Sequence, residues 1–325
     1  MKTSEYHDQK HLEKLEYIDF KPVFILGLHR SGTSILYKMV TSTGCFNPVT
    51  AYHLIKYNQL IYNHINKREE SSKEELTESF KEKGLKDRGI DRLQITADFA
   101  EEHGFLLGQK TLQMYITPKN LPLFTELCKK IQFISGNDKP ILLKNPYDFP
   151  NFIYIKKAFP NAKFVFIHRH PFKTLSSTIK AIRVLLNNKN PYTTQLFKIY
   201  NRIFENPLIL HTLRFCFSRI SAIGIILLTN NSSAATNYYL KNIKHLSKQD
   251  YVFITYEDLC KNPQKNIERI MEFLDIVSYN KIDFASFIKP RKTQLDPSVR
   301  QLRKFIYKRM EEYFKFFGYK LEGYI

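Results

Sequence analysis

Cysteine is scarce in this chain. Its four, Cys45, Cys128, Cys216 and Cys260, lie far apart and form no C-x-x-C pair. Zinc-binding and thioredoxin-like readings therefore lose support, and scattered thiols fit a reduced, cytoplasmic protein. An apolar leader core is also missing. The start carries Glu5, His7, Asp8 and Lys10, so no secretory signal is expected. Long apolar runs are absent from the middle as well. Ile220 to Leu228 is too short to span a bilayer, and Arg214 and Arg219 interrupt its upstream extension. Peripheral contact with a membrane surface stays open. No internal repeat, heptad run or low-complexity tract occurs. Carboxylates are the last shortage: 31 Asp and Glu against 50 Lys and Arg, a formal net charge of +19. Such a balance favours an anionic partner, whether nucleotide, nucleic acid, acidic glycan or membrane surface. Most of the lysines are expected to be solvated surface. No zinc, RRM or helix-turn-helix signature accompanies the charge, so no nucleic-acid partner is expected.

What is present starts at Lys21. Val23 to Leu26 is a short apolar run, the mark of a buried strand. Gly27-Leu-His-Arg-Ser-Gly-Thr-Ser34 follows, then Ile35, Leu36, Met39 and Val40 at helical spacing. A strand, a glycine-bearing turn and a helix aim backbone N–H groups at one spot on the positive end of a helix dipole, and suit a phosphate or sulfate. Against G-x-x-x-x-G-K-[ST], Gly27, Gly32 and Ser34 fit, but Thr33 stands at the lysine position. The loop is poorly built for ATP hydrolysis. Its firm positive charge is Arg30.

Further along, Pro140-Ile-Leu-Leu-Lys144 and Lys163-Phe-Val-Phe-Ile-His-Arg169 read as strands, each followed by a helix, and Tyr251–Tyr256 as a fourth strand. Helices are expected over about 121–133, 149–159, 264–274 and 297–317. This rhythm predicts an α/β fold with a parallel sheet and crossover helices. Parallel sheets bind ligands at the carboxyl ends of their strands. Gly27–Arg30, Lys144 and Arg169 all stand there, which predicts a polyanionic small ligand. Residues 1–20 read as a polar lead-in and 21–325 as one domain. The stretches of about 45–120 and 187–248 carry no readable code, the second reading as a helical insertion or cap. At Asp98–Phe105, Glu101, Glu102 and His103 sit among apolar residues, as catalytic acids or as the first turn of a helix.

These pieces together resemble the sulfotransferase superfamily, in its bacterial and Golgi-type branches. The donor there is 3′-phosphoadenosine 5′-phosphosulfate (PAPS). Residues 27–34 are similar to its 5′-phosphosulfate loop, which implies donor contacts from His29, Arg30, Ser31, Gly32, Thr33 and Ser34. Arg169-His-Pro-Phe-Lys-Thr-Leu-Ser-Ser177 resembles the 3′-phosphate motif, with Arg169 and Ser177 as its ligands, or Ser176 if the register slips. Thr255-Tyr-Glu-Asp-Leu259 is similar to the segment whose tyrosine, here Tyr256, approaches adenine. Leu143-Lys-Asn-Pro146 resembles the L-K-[SN]-P strand end. Lys289–Lys292 occupies the place of the basic loop, implying Arg291 and Lys292 over the 3′-phosphate. The fold implied is a P-loop-type parallel sheet flanked by helices.

The reaction implied transfers a sulfuryl group from PAPS to a hydroxyl-bearing acceptor (glycan, lipid or small molecule), with no metal required. Arg30 and the backbone amides of residues 31–34 are expected to hold the phosphosulfate, with Lys144 stabilising the transfer. The general base is less plainly written. His53 is the first candidate, since histidine titrates near neutrality. Glu102 and Glu101, in a segment similar to a bacterial P-E-E motif, come second. Two rivals share some of these features: a P-loop kinase acting on a small molecule, and a basic nucleic-acid or membrane-surface protein.

Overall fold

The structure, a computed structural model, describes residues 7–85, 95–277, 279–280, 282–288 and 294–321. Strand β1, Pro22–Leu26, is buried along its whole length. A strand covered on both faces reads as an unbroken apolar run, which Val23 to Leu26 supplies. It is the middle strand of a five-stranded sheet ordered β2–β3–β1–β4–β5. The others are β2 Asn47–Pro48, β3 Ile141–Lys144, β4 Lys163–His168 and β5 Tyr251–Thr255, and every pairing is parallel. Four strands were legible as apolar runs. β2 was not, being two residues long and containing a proline, which an edge tolerates.

Between β1 and β3 run α1 (Thr33–Ser42), α2 (Ala51–Ile55), α3 (Leu60–Ile65), α4 (Glu69–Glu82), α5 (Gly104–Thr111) and α6 (Leu121–Ser135). Next come α7 (Phe152–Ala158), α8 (Pro171–Asn187), α9 (Pro191–Leu196), α10 (Lys198–Glu205), α11 (Pro207–Cys216) and α12 (Ile223–Asn242). After β5 follow α13 (Tyr256–Lys261), α14 (Pro263–Phe273), α15 (Pro297–Gln301) and α16 (Arg303–Phe316). The helix expected from residue 149 starts later, because Pro146–Asn151 forms a 3-10 turn with non-helical dihedrals at Pro150. The helix expected over 297–317 is broken at Leu302.

Side chains alternate across the sheet. Phe24, Leu26, Leu143, Phe164 and Phe166 face one layer, built from α6, α7 and Tyr239 of α12. Val23, Ile25, Leu142, Val165 and Ile167 face the other, built from α1, α13 and α14. Within the segment expected as an insertion or cap, α11 buries no residue, whereas α12 joins the sheet's helical layer through the fully buried Tyr239.

The polar lead-in is tied to the body. Asp8 is buried, accepts the Tyr62 amide at 2.9 Å and pairs with Lys130 at 3.0 Å. Lys130 lies 4.1 Å from the Tyr57 ring and is itself buried. Removing one member of a buried pair strands the other charge. Asp8→Ala is therefore expected to cost about 3 kcal/mol, because Glu126, the other carboxylate on Lys130, is part-exposed. Urea unfolding checks it; a loss below about 1 kcal/mol would mean that the lead-in contributes little.

Candidate active site

The loop after β1 has to turn sharply beneath two neighbours. A Cβ on Gly27 would come within 2.3 Å of the Ile167 carbonyl, and one on Gly32 within 2.4 Å of the Tyr256 ring. Gly32 also sits at φ 110, and Arg30 at φ 67, a region L residues rarely adopt. Leu36 N–H donates to the Gly32 carbonyl and Ser31 N–H to Leu28. The Ser31 amide is thus engaged within the loop. The amides of residues 32–35, ahead of the first intrahelical bond, point out of the helix start. Three of the four amides expected to form the cradle, those of residues 32–34, are among them, and the Ser31 amide is turned to Leu28.

Three elements close on that helix start. Arg30 Nε donates to Ser177 Oγ at 3.1 Å. Arg169, at the end of β4, donates through Nη1 to the Arg30 carbonyl at 2.9 Å. Its guanidinium lies 4.1 Å from the Tyr256 ring centroid. Thr178 Oγ1 donates to the His29 carbonyl at 3.4 Å. Ser176 faces elsewhere: it is buried and accepts the Asp296 amide at 3.0 Å. Ser177 is therefore the serine of α8 that meets the loop. The Nε of Arg169 and the Oγ of Ser31 are buried without an acceptor or donor among the described residues. A buried donor left open costs free energy unless a ligand fills it. The set of guanidinium, hydroxyl and amide donors fits an anion with several oxygens. Arg291 and Lys292 lie outside the described residues.

Lys144 ends β3, fully buried. Its Nζ is 3.3 Å from Ser34 Oγ and 3.3 Å from Glu102 Oε1. It thereby links the loop to the Glu101–Glu102 segment. Glu101 is committed elsewhere: Oε2 accepts the Tyr192 hydroxyl at 2.6 Å and Oε1 the Glu102 amide at 3.0 Å. Glu102 acts electrostatically on His29 and on Tyr147, whose rings meet edge-on at 4.5 Å. Burial first, then Arg30 and Lys144, lower the His29 pKa, against an upward pull from Glu102. Burial and Glu102 push Tyr147 up to about 12. Tyr147 was missed in the sequence, although it stands three residues after Lys144 with a part-exposed ring.

Behind this cluster lies Asp148, which the sequence reading passed over. Asp148 Oδ2 meets His103 Nε2 at 2.8 Å and accepts Asn145 Nδ2 at 2.7 Å, while Oδ1 accepts the Ile116 amide at 2.8 Å. His103 follows Glu102, and Asn145 follows Lys144. One buried carboxylate thus fixes the neighbours of both members of the pair.

His53, the first candidate for the base, is engaged by the backbone. It is the third residue of α2, and its Nδ1 accepts the Thr50 amide at 3.2 Å in a capping box. Accepting there puts the ring proton on Nε2. Desolvation, with Lys73 adding to it, lowers its pKa to about 3, so it is a weak base. The structure does bring its segment beside the acids: Ala51 N–H donates to Phe99 and Glu101 N–H to Val49.

His168, on β4, is a second histidine that burial lowers to about 3, with Nδ1 2.9 Å from the Tyr313 hydroxyl. Both protonate near 6.5 in an unfolded chain and only near 3 when folded. Their contribution to stability is full above the unfolded pKa and falls as pH drops below it. Between about pH 7 and about pH 5 each should remove about 2 kcal/mol. Urea unfolding at both pH values checks this. The drop should be smaller in His53→Asn; an equal drop would count against it.

The sequence profile of the Sulfotransferase family matches residues 22–187, just over half of the chain. No protein of curated function matches. The fold is similar to crystal structures of two sulfotransferases. For STF9 from Mycobacterium avium the TM-score is 0.62 at 12% identity, covering 98% of this chain and 82% of that one. For STF1 from Mycobacterium tuberculosis H37Rv it is 0.58 at 14% identity, covering 94% and 80%.

Proposed function

The chain belongs to the sulfotransferase family, and from that premise we propose that it moves a sulfuryl group from PAPS to an acceptor hydroxyl. When bound, PAPS supplies a sulfur whose bond to the bridging phosphate oxygen breaks, with the electron pair leaving on adenosine 3′,5′-bisphosphate, as the acceptor oxygen bonds to sulfur. The observation that carries this reading is the meeting of Arg30, Arg169 and Ser177 at the start of α1. One helix start and two guanidinium groups at separate strand ends suit a nucleotide with phosphate on both sides of its ribose.

This chain's own residues then have the following parts. The amides of 32–35, the Thr33 and Ser34 hydroxyls and Arg30 hold the 5′ side. Arg169 and Ser177 hold the 3′ phosphate, and Tyr256 braces Arg169. Lys144 opposes negative charge that develops beside Ser34, the kind of fixed electrostatic help such transfers need. Glu102 Oε1, at the far side of Lys144, takes the acceptor's proton. Glu101 holds the segment through Tyr192, and His53 holds it through the Thr50 cap. The kinase reading lacks its loop lysine, Thr33 standing in that place.

Titration calorimetry tests the reading. Adenosine 3′,5′-bisphosphate should bind at about micromolar Kd, and ATP at least about tenfold more weakly, as expected where a fork-shaped donor set is left unfilled. Equal or tighter binding of ATP with magnesium would favour a kinase. Turnover of labelled PAPS against alcohol, glycan and lipid acceptors then identifies the acceptor class.

A further inference from the structure

We infer that the surface made by the end of α8, helix α11 and the start of α12 seats on an anionic lipid bilayer. α11 buries none of its residues. Half of the large exposed apolar side chains among the described residues belong to this one surface. They include Leu208 at 76% exposure, Phe215 at 58% and Ile220 at 87%, with Val184, Ile223 and Leu227 beside them. A patch of this kind on a water-soluble face marks an interaction site.

The patch is held rigidly. Arg214 donates to the Leu186 and Asn187 carbonyls at 2.9 and 3.0 Å, capping the end of α8. Arg183 donates to Phe217 at 2.6 Å and to Ser218 at 3.0 Å. Gly224 lets α12 start against Phe217, where a Cβ would come within 2.6 Å of the ring. The apolar side chains outside these ties are therefore presented outward by a fixed scaffold.

Charge identifies the occupant. Between Asp148 and Asp250 the sole carboxylate side chain is Glu205, against fifteen lysines and arginines. Lys189 just after α8, Lys198 and Arg202 on α10, and Arg219 just before α12 are all exposed. Exposed apolar side chains on elements that also carry exposed cations and almost no carboxylates are the pattern of a helix lying in a lipid interface. A second copy of the chain would set these positive charges against themselves, which like charge disfavours. Among the described residues no helix is long and apolar enough to cross a membrane, and α11 would lie along the surface. Val184 stands seven residues after Ser177, on the same face of α8 and about 10 Å along it. A seated molecule would hold its donor cleft beside the lipid.

Co-sedimentation of the full chain with vesicles tests this. Phosphatidylcholine vesicles carrying about 30% phosphatidylglycerol should pellet the protein, and pure phosphatidylcholine should not. Binding should fall at least about tenfold between about 0.1 M and about 0.5 M salt. The exposed pair Phe215→Ser/Ile220→Ser should lower it at least about tenfold, whereas Lys261→Glu/Lys265→Glu, outside the patch, should change it by less than about threefold. Three results would overturn the proposal: no pelleting with anionic vesicles, equal losses in the two double variants, or light scattering that shows a dimer lost in Phe215→Ser/Ile220→Ser without any vesicle binding.

Discussion

Arg169→Ala should lose about a hundredfold to a thousandfold in affinity for adenosine 3′,5′-bisphosphate. The magnitude follows from three roles that one side chain fills. Its Nη1 already donates to the Arg30 carbonyl, its plane lies over Tyr256, and its Nε is buried with no acceptor among the described residues. Two of these are structural, so a fall in affinity alone would not tell a ligand from a clamp on the loop. The ratio does. If Arg169 meets the 3′ phosphate, the alanine variant should bind the bisphosphate and adenosine 5′-phosphate alike, while the parent prefers the former. If Arg169 merely clamps the loop, both affinities should fall and the preference should persist. Arg169→Lys keeps the charge but loses the planar fork and the ring contact, and should recover less than about a tenth of the parent affinity. Calorimetry with the two nucleotides on three proteins decides the matter.

The loop half of the candidate site was legible because it rests on local order. Gly27, Gly32 and Thr33 to Ser34 must follow one another for the turn to form, and Lys144 and Arg169 end apolar runs that can be seen in the sequence. A parallel sheet then brings strand ends together whatever the rest of the chain does: Ile25 pairs with Lys144 and Leu26 with Phe166. The other half depends on contacts between distant residues without a periodic pattern. Tyr192 reaches Glu101 across 91 positions. Asp148 joins His103 and Asn145, and its sequence neighbourhood looks like a plain helix approach. His53 is ambiguous for a similar reason. A histidine three residues after a threonine suits a capping box as well as it suits a base, and only the burial of the Thr50 amide tells them apart. Ser176 and Ser177 were left open because one residue turns a helical side chain by about 100 degrees, which a motif cannot fix.

Glu102→Gln should lower kcat by about a hundredfold to ten-thousandfold, the usual worth of a positioned proton acceptor, while donor affinity holds or improves. The second half of that expectation separates chemistry from damage. Glu102 neutralises Lys144 at 3.3 Å, and Lys144 is also 3.3 Å from Ser34 in the anion loop. Removing the carboxylate charge leaves Lys144 buried with less compensation. A bound anion beside Ser34 would then supply what glutamine does not, so the variant should gain more thermal stability from the bisphosphate than the parent does. A general loosening of the site would weaken donor binding instead. His53→Ala provides the contrast. Losing the cap should cost about 1 kcal/mol of stability and leave kcat within about threefold, because Nδ1 is occupied by the Thr50 amide and the ring is a poor base. Full turnover in Glu102→Gln would move the proton to another acceptor, and turnover lost in His53→Ala with donor affinity intact would restore the histidine that the sequence first suggested.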